Sequence, residues 1–167
     1  MPLALEPLGL KHSAGYRRFS SDPENTRLML FLPHEDDAEM TRFLQAAEAE
    51  YAKEYPEYYE MAVLLDGECI GSVSAYSEEN GTAWELGWII GKEHWGHGYA
   101  AEAALQLIEF CRLRRGAARF ITHCDSENAA SRRVMEKLGM KLVSEYPGRK
   151  NRSSDEERRE CLYELTL

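Results

Sequence analysis

Long apolar runs are missing from these 167 residues, and no stretch has the length a helix needs to span a bilayer. No membrane partner is expected. The opening MPLALEPLGLKH carries Glu6 and two prolines and has no basic segment ahead of an apolar core. It is not expected to be an export signal, so the expected location is cytoplasmic. Closely spaced cysteines are missing too: Cys69, Cys111, Cys124 and Cys161 contain no CxxC pair. That argues against a zinc ligand set or a disulfide framework and for reduced, mostly buried thiols. An excess of positive charge is the third absence. With 29 acidic against 20 basic residues the net charge is −9, which would repel a polyphosphate backbone, so no nucleic-acid partner is expected. No metal is expected either, because His94 and His97 are spaced as HxxH without a carboxylate or cysteine cluster to complete a site.

What remains is a chain with 44% hydrophobic residues, enough for one sizeable core and short for two. A single domain over residues 1–167 is expected, as a monomer or homodimer. Leu3 to Leu8 reads as a short edge strand around Pro7, followed by a short helix from about His12 to Ser20. Asp22-Pro23-Glu24-Asn25 is turn chemistry, and the apolar run Thr26 to Leu32 has no fixed state. Beyond Pro33, Met40, Phe43, Leu44 and Ala47 fall at helical spacing, which predicts a helix to about Lys53. Tyr59 to Leu65, Glu68 to Tyr76 and Thr82 to Ile90 read as three strands joined by turns at Asp66-Gly67 and Glu79-Asn80-Gly81, an antiparallel meander.

A helix from Tyr99 to Arg115 follows, closed by Gly116. Arg119 to Cys124 is the next strand, and the intervening helix makes it a parallel neighbour of the strand before. Asn128 to Leu138 is a further helix, Lys141 to Tyr146 a strand, Gly148 to Arg159 a polar loop, and Cys161 to Leu167 the last strand. The fold class is α/β with a mixed sheet. Chemistry concentrates in Trp84 to Ala100, WELGWIIGKEHWGHGYA, where a strand runs into a glycine loop and at once becomes a helix. Unpaired backbone N–H groups converge there, an arrangement that favours a phosphate or pyrophosphate.

The segment EHWGHGYAAEAALQLIEFC, followed by DSENAASRRVMEKLGMKL, resembles the GCN5-related N-acetyltransferases (GNAT), in particular the branch of ribosomal-protein N-terminal acetyltransferases. That family's acetyl-CoA loop, Q/R-x-x-G-x-G/A, is matched by Glu93-His94-Trp95-Gly96-His97-Gly98. Downstream, Asn128 and Ser131 match N-x-x-S, and Glu136-Lys137-Leu138-Gly139-Met140 matches the branch's E-K-x-G ending. The resemblance covers about Val63 to Tyr146. It implies the GNAT fold, with a mostly antiparallel sheet whose two parallel strands splay into a V-shaped cleft for acetyl-CoA as co-substrate.

By resemblance, the backbone of Trp88, Ile89 and Ile90 pairs with the pantetheine arm. Trp95, Gly96, His97, Gly98, Tyr99 and Ala100 present N–H groups to the pyrophosphate. Two positions depart from the motif: Glu93 stands where a basic or amide residue is usual, and His97 where a basic residue is common between the glycines. Both lower the positive charge at the pyrophosphate.

The implied reaction is direct attack of a primary amine on the thioester. Glu85, a carboxylate in an otherwise apolar strand, is the candidate general base; the other reading is an outward-facing carboxylate paired with a neighbouring strand. Ser131 is the candidate that hydrogen-bonds or protonates the departing sulfur. Asn128 anchors the pantetheine or only caps its helix. A bulge at Gly87 would free an N–H near Trp88 for the oxyanion. The acceptor is expected to enter between the first helical region and the loop before the last strand. There the run Glu48 to Glu60 either lines the entrance or forms a solvated helix face with packed tyrosines. A protein N-terminal α-amine is one expected acceptor. The alternatives are a small amine such as an antibiotic, polyamine or amino acid, and a non-catalytic acetyl-CoA-binding module.

Overall fold

The computed structural model describes residues 3–167. Its framework is a seven-stranded sheet in the order β1-β2-β3-β4-β5-β7-β6. The strands are β1 (Ala4–Pro7), β2 (Tyr58–Leu65), β3 (Glu68–Glu78), β4 (Ala83–Ile90), β5 (Arg119–Asp125), β6 (Lys141–Lys150) and β7 (Glu157–Thr166). The helices are α1 (Ser13–Ser20), α2 (Pro23–Thr26), α3 (Asp37–Tyr51), α4 (Tyr99–Arg115) and α5 (Ala129–Lys137). All neighbours are antiparallel except β4 and β5. Local chemistry explains the elements. Asp66 and Gly67 both have positive φ and turn β2 tightly into β3. Asp36 caps α3 by accepting from the Glu39 N–H at 2.8 Å, and Gly116 closes α4 in the left-handed conformation.

Alternation along β4 divides the core in two. Trp84, Leu86 and Ile90 face α4 and α5, packing with Ala104, Leu107, Phe120 and Met135. Ile89 faces the other way, with Ala62, Tyr16 and Leu44, under α1 and α3. Glu85 and Gly87 share the Ile89 face.

Several expectations need correction. Asp22 to Asn25 is not a bare turn: Asp22 accepts from the Glu24 and Asn25 N–H groups and caps the short helix α2, with Pro23 at its first position. The loop expected over Gly148 to Arg159 shrinks to residues 151–156. The β6–β7 hairpin runs on to Lys150 and resumes at Glu157, because its charges pair across the strands, as in Arg159 with Glu145 and Arg149 with Glu160. Strand β4 pairs in unbroken register with β3 through Gly87, so no bulge forms there. A Cβ at Gly87 would instead lie 2.9 Å from Ser74 Oγ across the ladder.

Candidate active site

Strands β4 and β5 are parallel partners over only two residue pairs, Trp84 with Phe120 and Glu85 with Ile121. Beyond them β4 stays with β3 and β5 with β7, so the sheet forks. The Gly91 N–H bond to Ile70 O at 2.8 Å fixes which way each backbone group of β4 faces. Antiparallel pairs alternate, so Glu85, Gly87 and Ile89 bond to β3, while Leu86, Trp88 and Ile90 turn toward the fork. Thr122 donates its hydroxyl to Leu86 O at 2.8 Å, closing the apex. Ile90 O accepts from Trp95 Nε1 at 2.8 Å and Asn25 Nδ2 at 2.7 Å. Trp88 therefore presents both its N–H and its C=O to the open cleft. Ile89 does not, because its backbone is spent on β3.

Past the fork, Trp95 anchors the loop through that indole bond, and Gly96 and Gly98 hold φ of 84° and 77°. Gly98 is the N-cap of α4 and supplies no side-chain cap, so the N–H groups of Tyr99, Ala100 and Ala101 precede the first intrahelical bond, Glu102 N–H to Gly98 O. His97 stacks on Tyr99 and lies 3.2 Å from His94 O through Nδ1, so the two histidines are not set as a chelating pair. Lys137 was not singled out from sequence. It reaches across from α5, its Nζ 3.3 Å from where a Cβ on Gly98 would sit. Glu93 folds its carboxylate back over Gly91.

On the Ile89 face of the sheet, beside the fork, Glu85 Oε2 lies 2.7 Å from His123 Nδ1. Sequence reasoning missed His123; only its alternation with Ile121 along β5 would have flagged it. The hydrogen bond to the Glu85 carboxylate raises the imidazole above its ordinary value, burial works against this, and Glu160 and Arg149 add opposite smaller effects. Glu60 is buried on the same face and bonds the Tyr76 hydroxyl at 2.5 Å; burial pushes its carboxyl up to about 7. Elsewhere in the Glu48 to Glu60 run, three side chains support the fold, while Tyr55 is exposed. Glu48 accepts from Leu10 N–H at 2.6 Å, Glu50 from Glu57 N–H at 2.7 Å, and Tyr59 packs in the core.

At the far side, Asn128 caps α5 by accepting from Ser131 N–H at 3.1 Å, leaving Ser131 half-buried in the first turn. Asp125, fully buried, closes the end of β5 by accepting from Glu127 N–H, Asn151 Nδ2 and Arg158. The 27–34 segment is joined to β6 and to the loop before the last strand, one of the two elements expected to flank the acceptor entrance. Arg149 donates to Leu28 O at 2.8 Å, and Arg152 bonds Met29 O, Phe31 O and Glu39.

With this geometry in hand, a family model described as an acetyltransferase (GNAT) domain matches residues 3–141. The chain belongs to the GNAT acetyltransferases. An uncharacterised N-acetyltransferase of Bacillus subtilis, YnaD, is 30% identical over 122 residues, covering 70% of this chain and 68% of that protein. A ribosomal L7/L12 alpha-N-protein acetyltransferase, RimL, solved with coenzyme A, superposes with a TM-score of 0.86 at 14% identity, over 100% of this chain and 95% of that one. A GNAT-family acetyltransferase from Bacillus anthracis gives 0.82 at 19%, covering 99% and 95%. The likeness to these two is one of fold. GNAT enzymes are acetyl-CoA-dependent acyltransferases, and this chain is one of them.

The residues present fit such a co-substrate. The fork leaves a strand edge unpaired, the glycine loop leaves N–H groups unpaired, and Lys137 supplies a cation beside Gly98. Among the described residues no cluster of three or more His, Cys, Asp or Glu is placed to hold a metal ion, and no helix is long and apolar enough to cross a membrane.

Proposed function

We propose that this GNAT enzyme moves an acetyl group from acetyl-CoA to the α-amine at a peptide N-terminus. The fork carries the reading. Two parallel pairs followed by separation leave the Trp88 carbonyl and the Ile90 amide on the open edge of β4, which suits an extended pantetheine arm added as a strand between β4 and β5. The N–H groups of Tyr99 to Ala101 and the Lys137 ammonium suit the pyrophosphate. Acetyl-CoA supplies an acyl group activated as a thioester.

The chain's own residues do the rest. The Trp88 N–H stands ready for the developing oxyanion without any bulge. The Glu85–His123 pair lies on the acceptor face of the fork, where the amine loses its proton. Ser131, at the start of α5, serves the departing sulfur, and Asn128 holds that first turn in place.

Charge on the acceptor face supports an α-amine. Glu85 is engaged by His123, Glu160 by Arg149 and Tyr146, and Glu60 by Tyr76. Few free carboxylates remain to gather a polycation, and an α-amine with pKa near 8 needs less help to become neutral than an ammonium near 10.4. The small-amine reading draws on a different observation, the Arg149 and Arg152 bridge that narrows the acceptor side. The test is CoA release by purified protein with peptides beginning in Ser, Ala or Met and with small mono- and diamines. Turnover confined to the small amines refutes the α-amine reading; clear acetyl-CoA binding with no turnover across the panel refutes transfer to these acceptors.

A further inference from the structure

We propose that His123, oriented by Glu85, is the catalytic group that takes the proton from the acceptor amine, which is seated over Gly87. This rests on the acetyl-transfer reading above and names the residue that reading leaves open. Counting on from the Glu85–Ile121 pair, two residues along each strand bring His123 abreast of Gly87, one residue short of Trp88. Alternation puts Glu85, Gly87 and His123 on one face of the sheet. Gly87 contributes no side chain there, so the Ser74 hydroxyl from β3, 2.9 Å from where a Cβ on Gly87 would sit, and the His123 imidazole from β5 flank the position beside the Trp88 amide. The imidazole uses Nδ1 for Glu85 at 2.7 Å, and Nε2 has no hydrogen-bond partner among the described residues.

Side-chain exposure is 23% for His123 and 33% for Glu85, so the pair is reachable yet shielded. A carboxylate fixed on one imidazole nitrogen sets the tautomer and leaves the other nitrogen as the proton acceptor. Glu85 is thereby the positioning residue.

The other charged groups facing His123 are Glu160 from β7 and Arg149 from β6. Arg149 bonds Glu160 at 2.7 Å, so the two largely cancel and Glu85 dominates. The acceptor ammonium gives one proton to Nε2, its nitrogen forms the N–C bond, and the C–S bond breaks. The second nitrogen proton passes to the thiolate, and the imidazolium releases the first to solvent.

The experiment has two readouts. Imidazole NMR titration of the free protein follows His123 in wild type and Glu85→Gln, and kcat/KM is measured against pH for wild type, His123→Gln and Glu85→Gln. The acceptor is a peptide with a free N-terminal Ser, or the panel amine turned over fastest if that peptide is inert. Wild type should show an acid limb above about pH 6.5 that follows the NMR midpoint. Glu85→Gln should move limb and midpoint to lower pH together. His123→Gln should lose about 100-fold or more in kcat and lose the limb, with acetyl-CoA affinity by calorimetry within twofold of wild type.

An unmoved His123 midpoint in Glu85→Gln, or an intact limb in His123→Gln, overturns the proposal while wild-type turnover keeps the acetyl-transfer reading. Wild type that neither binds acetyl-CoA nor releases CoA overturns both.

Discussion

Replacing Glu60 by Gln isolates the energetic cost of one buried acid. The residue is 9% exposed, the side-chain partner of its carboxyl is the Tyr76 hydroxyl at 2.5 Å, and burial raises that carboxyl from an ordinary 4.5 to about 7. A raised carboxyl binds its proton more tightly in the folded state, so between these values the folded chain holds more proton than the unfolded one. Stability therefore falls as pH rises from about 4.5 to 7, and the loss is complete above that window. At about 1.4 kcal/mol per pH unit the loss approaches roughly 3 kcal/mol. Glutamine keeps an oxygen to accept from Tyr76 and cannot ionise. Its amide N–H groups add an offset that does not depend on pH, so the slope is the readout. Urea unfolding from pH 4.5 to 8 should show the variant gaining about 3 kcal/mol on wild type across the range, with equal m-values. Parallel stability curves for the two proteins would show that Glu60 ionises normally and refute the reasoning.

Lys137→Gln should weaken acetyl-CoA binding by about 1 kcal/mol, roughly fivefold, and flatten its salt dependence in calorimetry, with acetyl-pantetheine unaffected. Gly98→Val should abolish acetyl-CoA binding while circular dichroism stays native, since it imposes a β-branched side chain at φ 77° and a Cβ beside Lys137 Nζ; retained affinity removes the pyrophosphate from this loop. Ser131→Ala should lower kcat at least tenfold and leave acetyl-CoA affinity within twofold, and the reverse pattern makes Ser131 a binding residue. Asp125→Ala should cost about 1–3 kcal/mol in urea unfolding, because the buried Asn151 amide would lose its acceptor while Arg158 keeps Glu127.

The strands and helices around the cleft were legible in the sequence because their signals are local. Asp66-Gly67 can make a tight turn by itself, and Gly116 can end a helix by itself. The glycine loop was legible for the same reason. The bulge at Gly87 was misread because a glycine within a strand has two uses. Here it is the cross-strand approach of Ser74, visible only once β3 and β4 are in register. The end of β6 and the start of β7 read as loop because Gly148 to Arg159 is rich in charge, and charge is neutralised in strand form only when the opposite strand supplies the partner. His123 and Lys137 escaped notice for a related reason. Each acquires meaning from a residue nearly 40 positions away, Glu85 and Gly98 respectively; alternation along β5 assigns His123 a face but not its partner, and nothing within α5 marks Lys137.

The placement of Lys137 changes how the departures at Glu93 and His97 are understood. A basic residue within the loop would bind the pyrophosphate without involving the rest of the protein. Here Glu93 lies back over Gly91, His97 is stacked on Tyr99, and the cation beside Gly98 comes from the last turn of α5. Six residues earlier on that helix stands Ser131, about 9 Å along the axis at 1.5 Å per residue. Under the proposed function one helix thus serves the pyrophosphate from one end and the thioester sulfur from the other, with Asn128 capping its first turn. In the proposed reading, the contact that binds the charged end of acetyl-CoA also sets the helix carrying the group for the leaving thiolate. A loop-borne charge would lack that linkage. Moving the cation back, as Lys137→Gln with His97→Arg, should therefore restore affinity for acetyl-CoA more fully than it restores kcat. Equal recovery of both would mean that α5 is held by its cap and core packing alone.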